Sequence, residues 1–220
     1  MALYRRLHGD DHISVAKSLN NLAWVILAEG DTVQAADLWR QSLEMRRRLM
    51  GADHPDVALA MHNLARVVYL QKDYGRAEKL EGEALAIWQK LYPKNHPNLS
   101  NAYMQLGNIE FAKGEYGEAE KHFRESLKIR RQAYNPTHHL IAQTEIELAN
   151  SLSSQHRFKE AEPLWLESYE ILKAGRGESH EETVAALRRI INFYRRWGRP
   201  ARTDYYQKVL ARAQKSPTEK

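Results

Sequence analysis

The 220-residue chain is 43% hydrophobic, enough for a continuous apolar core, yet no apolar run is long enough to span a bilayer. It has no cysteine, which excludes disulfides, thiolate metal sites and cysteine nucleophiles. The net charge of +5 is gathered at one end: residues 173–220 hold 12 Lys and Arg against 5 Asp and Glu, whereas residues 1–172 hold 21 and 23.

Residues 1–9 read as the second half of a repeat whose first half is missing. Leu3, Leu7 and Gly9 fall in register with Met45, Leu49 and Gly51. The chain is therefore expected to be a piece of a longer array. Arg5, Arg6 and His8 interrupt the apolar stretch that a signal peptide needs, and a cytoplasmic location is expected.

From there a unit of 42 residues recurs, marked by His12, His54, His96, His138 and His180. Leu22, Leu64, Leu106 and Leu148 follow at the same spacing, with Ile190 last, and Ala35, Ala77, Ala119 and Ala161 mark the second half of each unit. Fixed self-similarity of this kind means stacked supersecondary units. Each unit reads as two helices, because Val15, Leu19, Leu22 and Ile26 follow the spacing of a helix face and Gly30-Asp31 breaks it. The expected pairs are 13–29 and 32–50, 55–71 and 74–91, 97–113 and 116–134, 138–155 and 158–174, then 180–197 and 200–214. Small residues such as Ala23 and Ala35 stand where two helix axes approach to about 8–10 Å. The fifth unit is degenerate, with Ile191 and Thr203 at the small positions, as expected of a terminal repeat. The fold class is thus all-α, with five helix pairs over residues 10–214 forming one array and a frayed tail at 215–220.

The stretches Leu19-Asn20-Asn21-Leu22-Ala23 and His54-Pro55-Asp56-Val57-Ala58 resemble tetratricopeptide repeats of the 42-residue kinesin light chain type. The resemblance covers residues 3–213. It implies a right-handed superhelical solenoid whose first helices line a concave face and whose second helices line the convex one. It also implies a module that binds peptides or protein segments and performs no chemistry.

The residues themselves agree with that reading. The five repeat histidines sit too far apart for a metal, since equivalent positions are about one helix packing distance from each other and zinc needs nitrogen ligands at about 2.0–2.1 Å. They read instead as helix-entry residues bonding to nearby backbone. His180-Glu181-Glu182 lacks the second histidine of a metalloprotease helix, and Gly175-Arg176-Gly177 is too short for a phosphate loop and falls in an inter-repeat connection. No catalytic constellation, metal site or cofactor is expected. Trp39 and Trp165 share a register position beside Phe123 and read as packing residues.

The first helix of each pair leaves one stripe free of packing, at spacing i, i+3, i+7, i+10. It runs Lys17, Asn20, Trp24, Leu27, then Leu59, His62, Arg66, Tyr69, then Asn101, Met104, Asn108, Phe111, then Gln143, Ile146, Asn150, Ser153, then Ala185, Arg188, Asn192, Arg195. None is acidic, although the chain has 28 Asp and Glu. By the resemblance this stripe faces the groove. The candidate peptide-binding residues are Lys17, Asn20, Trp24, His62, Arg66, Tyr69, Asn101, Asn108 and Asn150. Asparagine offers a peptide backbone both donor and acceptor, Lys and Arg meet carboxylates, and the aromatics offer an apolar anchor surface. The expected ligand is an extended or short helical segment bearing acidic residues beside an apolar anchor. The alternative is an architectural or sensor segment of a larger signalling protein with no peptide ligand of its own. Nucleic acid is not expected, because the basic last repeat lacks base-reading motifs.

Overall fold

The computed structural model describes residues 12–215. The half-repeat expected at 1–9, and all but the first residue of the tail expected at 215–220, lie outside them. The described residues form helices only: α1 Ile13–Ala28, α2 Thr32–Met50, α3 Pro55–Leu70, α4 Tyr74–Leu91, α5 Pro97–Lys113, α6 Tyr116–Ala133, α7 His139–Ser154, α8 Phe158–Arg176, α9 Glu181–Arg196 and α10 Pro200–Lys215. They group into two compact units, Met1–Lys113 and Gly114–Lys220.

The repeat histidines start the first helices. His12 Nδ1 accepts from the Ser14 amide at 3.1 Å, His54 from Asp56 at 3.0 Å, and His96, His138 and His180 from Asn98, Leu140 and Glu182 at 3.2 Å. Each thereby satisfies one of the amides that a helix start leaves without a partner. The bond uses the Nδ1 lone pair, which places the ring proton on Nε2. Asp31 and Asp73 cap α2 and α4 by the same logic, at 2.9 Å and 3.2 Å. Between the helices of each pair one residue adopts a left-handed conformation. Gly30, Gly114 and Gly198 take it without strain, whereas Lys72 (φ 65°) and His156 (φ 60°) hold it with a side chain attached.

In the first unit Val15, Ala16, Leu19 and Met45 pack α1 against α2. Ala35 and Ala77 are fully buried, as is Trp39. The Ser42 hydroxyl donates to the Ala16 carbonyl at 2.8 Å, a bond that needs the close approach alanine permits. Arg46 is buried and donates to the Asp56 carbonyl at 3.0 Å, linking α2 to α3.

In the second unit Ala119, Phe123, Ala161 and Trp165 are the corresponding buried residues. Arg130, at the register of Arg46, donates to the Leu140 carbonyl at 2.9 Å and the Thr144 hydroxyl at 2.7 Å, and burial lowers its guanidinium to about 10. Beside it lies a three-helix clamp. Arg131 of α6 bonds Glu145 of α7 at 2.7 Å and Glu167 of α8 at 3.1 Å. Glu145 is fully buried, and its second oxygen has no partner among the described residues. Burial pushes its carboxyl up to about 7, with Arg131 opposing the shift and Glu167 adding to it.

Gly175 and Arg176 belong to α8, not to a connection. A Cβ at Gly175 would stand 2.7 Å from the Thr137 carbonyl oxygen, so glycine lets the last turn of α8 pass that backbone.

Candidate functional site

In the first unit the stripe residues of α1 and α3 form a connected surface. Trp24 is half-buried, with its ring edge-on to the buried Trp39 at 5.0 Å and 82°. The exposed Arg66 places its guanidinium 4.8 Å above the Trp24 ring. This cation–aromatic stack presents positive charge beside apolar surface. Lys17 is exposed one helical turn before Asn20.

Asn20 is employed within the wall. Its Oδ1 accepts from the Trp39 indole at 3.1 Å and from the Asn63 amide at 2.8 Å, tying α1 to α2 and α3. His62 is likewise turned inward: its Nδ1 lies 2.7 Å from the carboxylate of the fully buried Glu81, and its ring is 5.7 Å from Trp88. Helix periodicity carries no signal for either bond, because the partners lie nineteen residues away on another helix. Tyr69 lies against Tyr74 at 5.7 Å. Asn101 and Asn108 are half-buried on α5, and Met104 between them is buried.

In the second unit the stripe of α7 faces α9 across two cavities. One, of about 170 Å³, is lined by Asn150, Ser153, Phe158, Trp165, Arg189, Asn192, Phe193 and Arg196. The other, of about 400 Å³, runs from His139 and Gln143 past Ile146 and Leu172 to Glu182 and Ala185. Arg189 lines both and pairs with Glu147 at 3.5 Å. Burial, with Arg176 and His138 nearby, holds His139 below the usual imidazole range.

Asn150 is therefore a cavity residue, and of the stripe expected on α9 Ala185 and Asn192 line the cavities too. Arg189 and Arg196 line the cavities in place of Arg188 and Arg195. Ile190, Ile191, Phe193 and Tyr194 are all buried, so the exposed face of α9 carries its arginines in adjacent pairs, Arg188 with Arg189 and Arg195 with Arg196, and the second of each pair lines the cavities. Ile146 and Ser153, expected free, are buried at 6% and 2% exposure. Among the described residues no group of three or more His, Cys, Asp or Glu is placed to hold a metal ion, and no helix is long and apolar enough to cross a membrane.

Stacked helix pairs with histidine-capped first helices define a repeat scaffold, and comparison with known proteins places it in a family. A family model described as tetratricopeptide repeat matches residues 1–48, 25–90, 82–132 and 98–174. The chain belongs to the tetratricopeptide repeat family, whose members typically mediate protein–protein interaction. No curated protein sequence matches. Among solved structures, an array of nearly identical repeats of kinesin light chain type from Podosopora anserina is similar at 20% identity and a TM-score of 0.82, covering 94% of this chain and 100% of that one. BtubC (BKLC) from P. vanneervenii is similar at 18% identity and a TM-score of 0.82, covering 100% and 90%. A Rap protein complexed with Competence and Sporulation Factor is similar at 15% identity and a TM-score of 0.72, covering 89% of this chain and 52% of that one. At these identities the likeness is one of fold.

Proposed function

We propose that the chain is a cytoplasmic interaction module that binds an extended or short helical segment carrying acidic residues beside an apolar anchor. The observation that carries this reading is the exposed Arg66 guanidinium held 4.8 Å above the Trp24 ring. A side chain seated against Trp24 brings a neighbouring carboxylate within reach of Arg66 and Lys17. Tyr69 extends the apolar wall, while Asn101 and Asn108 offer amides to the segment's backbone. Asn20 and His62 act by fixing that wall through Trp39 and Glu81. The Rap protein bound to Competence and Sporulation Factor supports a repeat array of this fold as a ligand-binding surface.

Panning a displayed library of random peptides on the immobilised protein tests the reading. Enrichment of sequences pairing an Asp or Glu with a large apolar residue is expected. Recovery of the same sequences on Lys17→Glu/Arg66→Glu would contradict it. An architectural role draws support from the inward bonds of Asn20 and His62, and it predicts no enrichment at all.

A further inference from the structure

Residues nineteen apart pair across the first two repeats. Asn20 Oδ1 accepts from the Trp39 indole at 3.1 Å, and His62 meets Glu81 at 2.7 Å. The residues at those registers in the third repeat, Met104 and Phe123, are both apolar. In the fourth they are Ile146 and Trp165, and the match fails. Isoleucine has no acceptor, and the buried Trp165 indole nitrogen is left without a partner among the described residues.

The cavity of about 170 Å³ opens against this tryptophan. The residues lining it are rich in donors and include no Asp or Glu: Asn150, Asn192, Arg189 and Arg196 stand beside Trp165 and Phe193. Glu147 pairs with Arg189 and accepts one N–H of the Asn150 amide at 3.1 Å, leaving that amide its second N–H, but among the described residues no carboxylate lies within ion-pair distance of Arg196. Phe193 lies 6.1 Å from Trp165 and 6.0 Å from Phe158, giving the pocket an aromatic floor.

We infer that this pocket binds an aryl phosphate, the group a phosphorylated tyrosine carries. The aromatic floor receives the ring. The phosphate meets Arg189 and Arg196, and an oxygen of the ligand gives Trp165 the acceptor that Asn20 gives Trp39. Two guanidinium groups, two amides and an indole exceed what a carboxylate's two oxygens accept. They suit an anion with three terminal oxygens and a charge of about −1.5 to −2. Arginine in place of lysine fits that geometry, since its planar fork bonds two phosphate oxygens at once. The pocket lies in the second unit and shares no residue with the peptide reading of the first, so each stands or falls separately.

Calorimetric titration with phenyl phosphate, inorganic phosphate and benzoate tests the inference. Phenyl phosphate is expected to bind at least tenfold more tightly than the other two. Arg196→Gln should weaken it at least tenfold. Ile146→Asn, which gives Trp165 an internal acceptor, should do the same. Trp165→Phe keeps the ring and removes the donor, so it reports on the same bond if Ile146→Asn fails to fold; a several-fold loss is expected. A phosphotyrosyl peptide that binds more tightly than phenyl phosphate would assign the group to a protein segment, and equal affinity would assign it to a small molecule. Phenyl phosphate binding no tighter than inorganic phosphate, benzoate matching it, or wild-type affinity in both Arg196→Gln and Trp165→Phe would overturn the inference.

Discussion

Glu145→Gln should stabilise the protein, and only above a definite pH. The wild-type carboxyl is buried, has one oxygen without a partner, and shares Arg131 with Glu167. Its protonation midpoint rises from the ordinary 4.5 to about 7, so the folded chain holds this proton where the unfolded chain releases it. Folding is therefore progressively disfavoured as pH rises from 4.5 to 7, and the loss is complete above that window. At about 1.4 kcal/mol per pH unit, the full penalty is about 3 kcal/mol. Glutamine keeps the shape and the bond to Arg131 without the charge. Urea denaturation followed by helical circular dichroism, run on both proteins from pH 4.5 to 8, measures the difference directly. Titrating groups away from the Arg131 clamp cancel between the two. The gap should be near zero at pH 4.5 and reach about 3 kcal/mol at pH 8. A gap that does not change with pH, or that favours wild type at pH 8, would refute the burial argument.

Other outcomes follow from the packing. Ala77→Leu places a larger side chain at a fully buried helix crossing and should cost about 1–3 kcal/mol, read as a lowered thermal midpoint. Lys72→Gly removes the strain of a left-handed non-glycine residue and should gain about 0.5–1 kcal/mol, less than the full strain because glycine also loosens the unfolded chain. His54→Ala deletes the cap on the Asp56 amide and should cost about 1 kcal/mol, whereas His54→Asn should restore most of it. A random oligonucleotide should bind only weakly and lose affinity steeply with salt, despite the exposed arginines of α9; submicromolar affinity at 200 mM salt would contradict that.

The repeats were legible in the sequence for local reasons. Histidine before each first helix and alanine at the crossing within each of the first four pairs are fixed by backbone and packing needs, and both recur every 42 residues. Helix boundaries consequently agree to within two residues, as with α8, which runs to Arg176 against an expected 174. The site was legible only in part. The periodicity of α1 and α3 identified Trp24 and Arg66 as stripe residues but not their stacking, which depends on two helices at once. The inward bonds of Asn20 and His62 were hidden for the same reason. On α9 the expected Ala185 and Asn192 line the cavities, but Arg189 and Arg196 do so in place of Arg188 and Arg195, because carrying the 42-residue period forward ignored a core in which Ile190 and Ile191 are both buried.

On the proposed function, the first-helix face, and not the second-helix face, receives an acidic segment. Amide and indole NMR spectra of the labelled protein, titrated with a peptide from the panning experiment, test this most directly. Shifts concentrated at the Trp24 indole and the α1 and α3 amides are expected, weakening with ionic strength as steered, charged recognition requires. They should vanish in Lys17→Glu/Arg66→Glu and persist in Arg47→Glu/Arg48→Glu, which carries the same change of net charge on exposed positions of α2. Shifts on α2 and α4 that survive the first variant and vanish in the second would place binding on the opposite face and contradict the account.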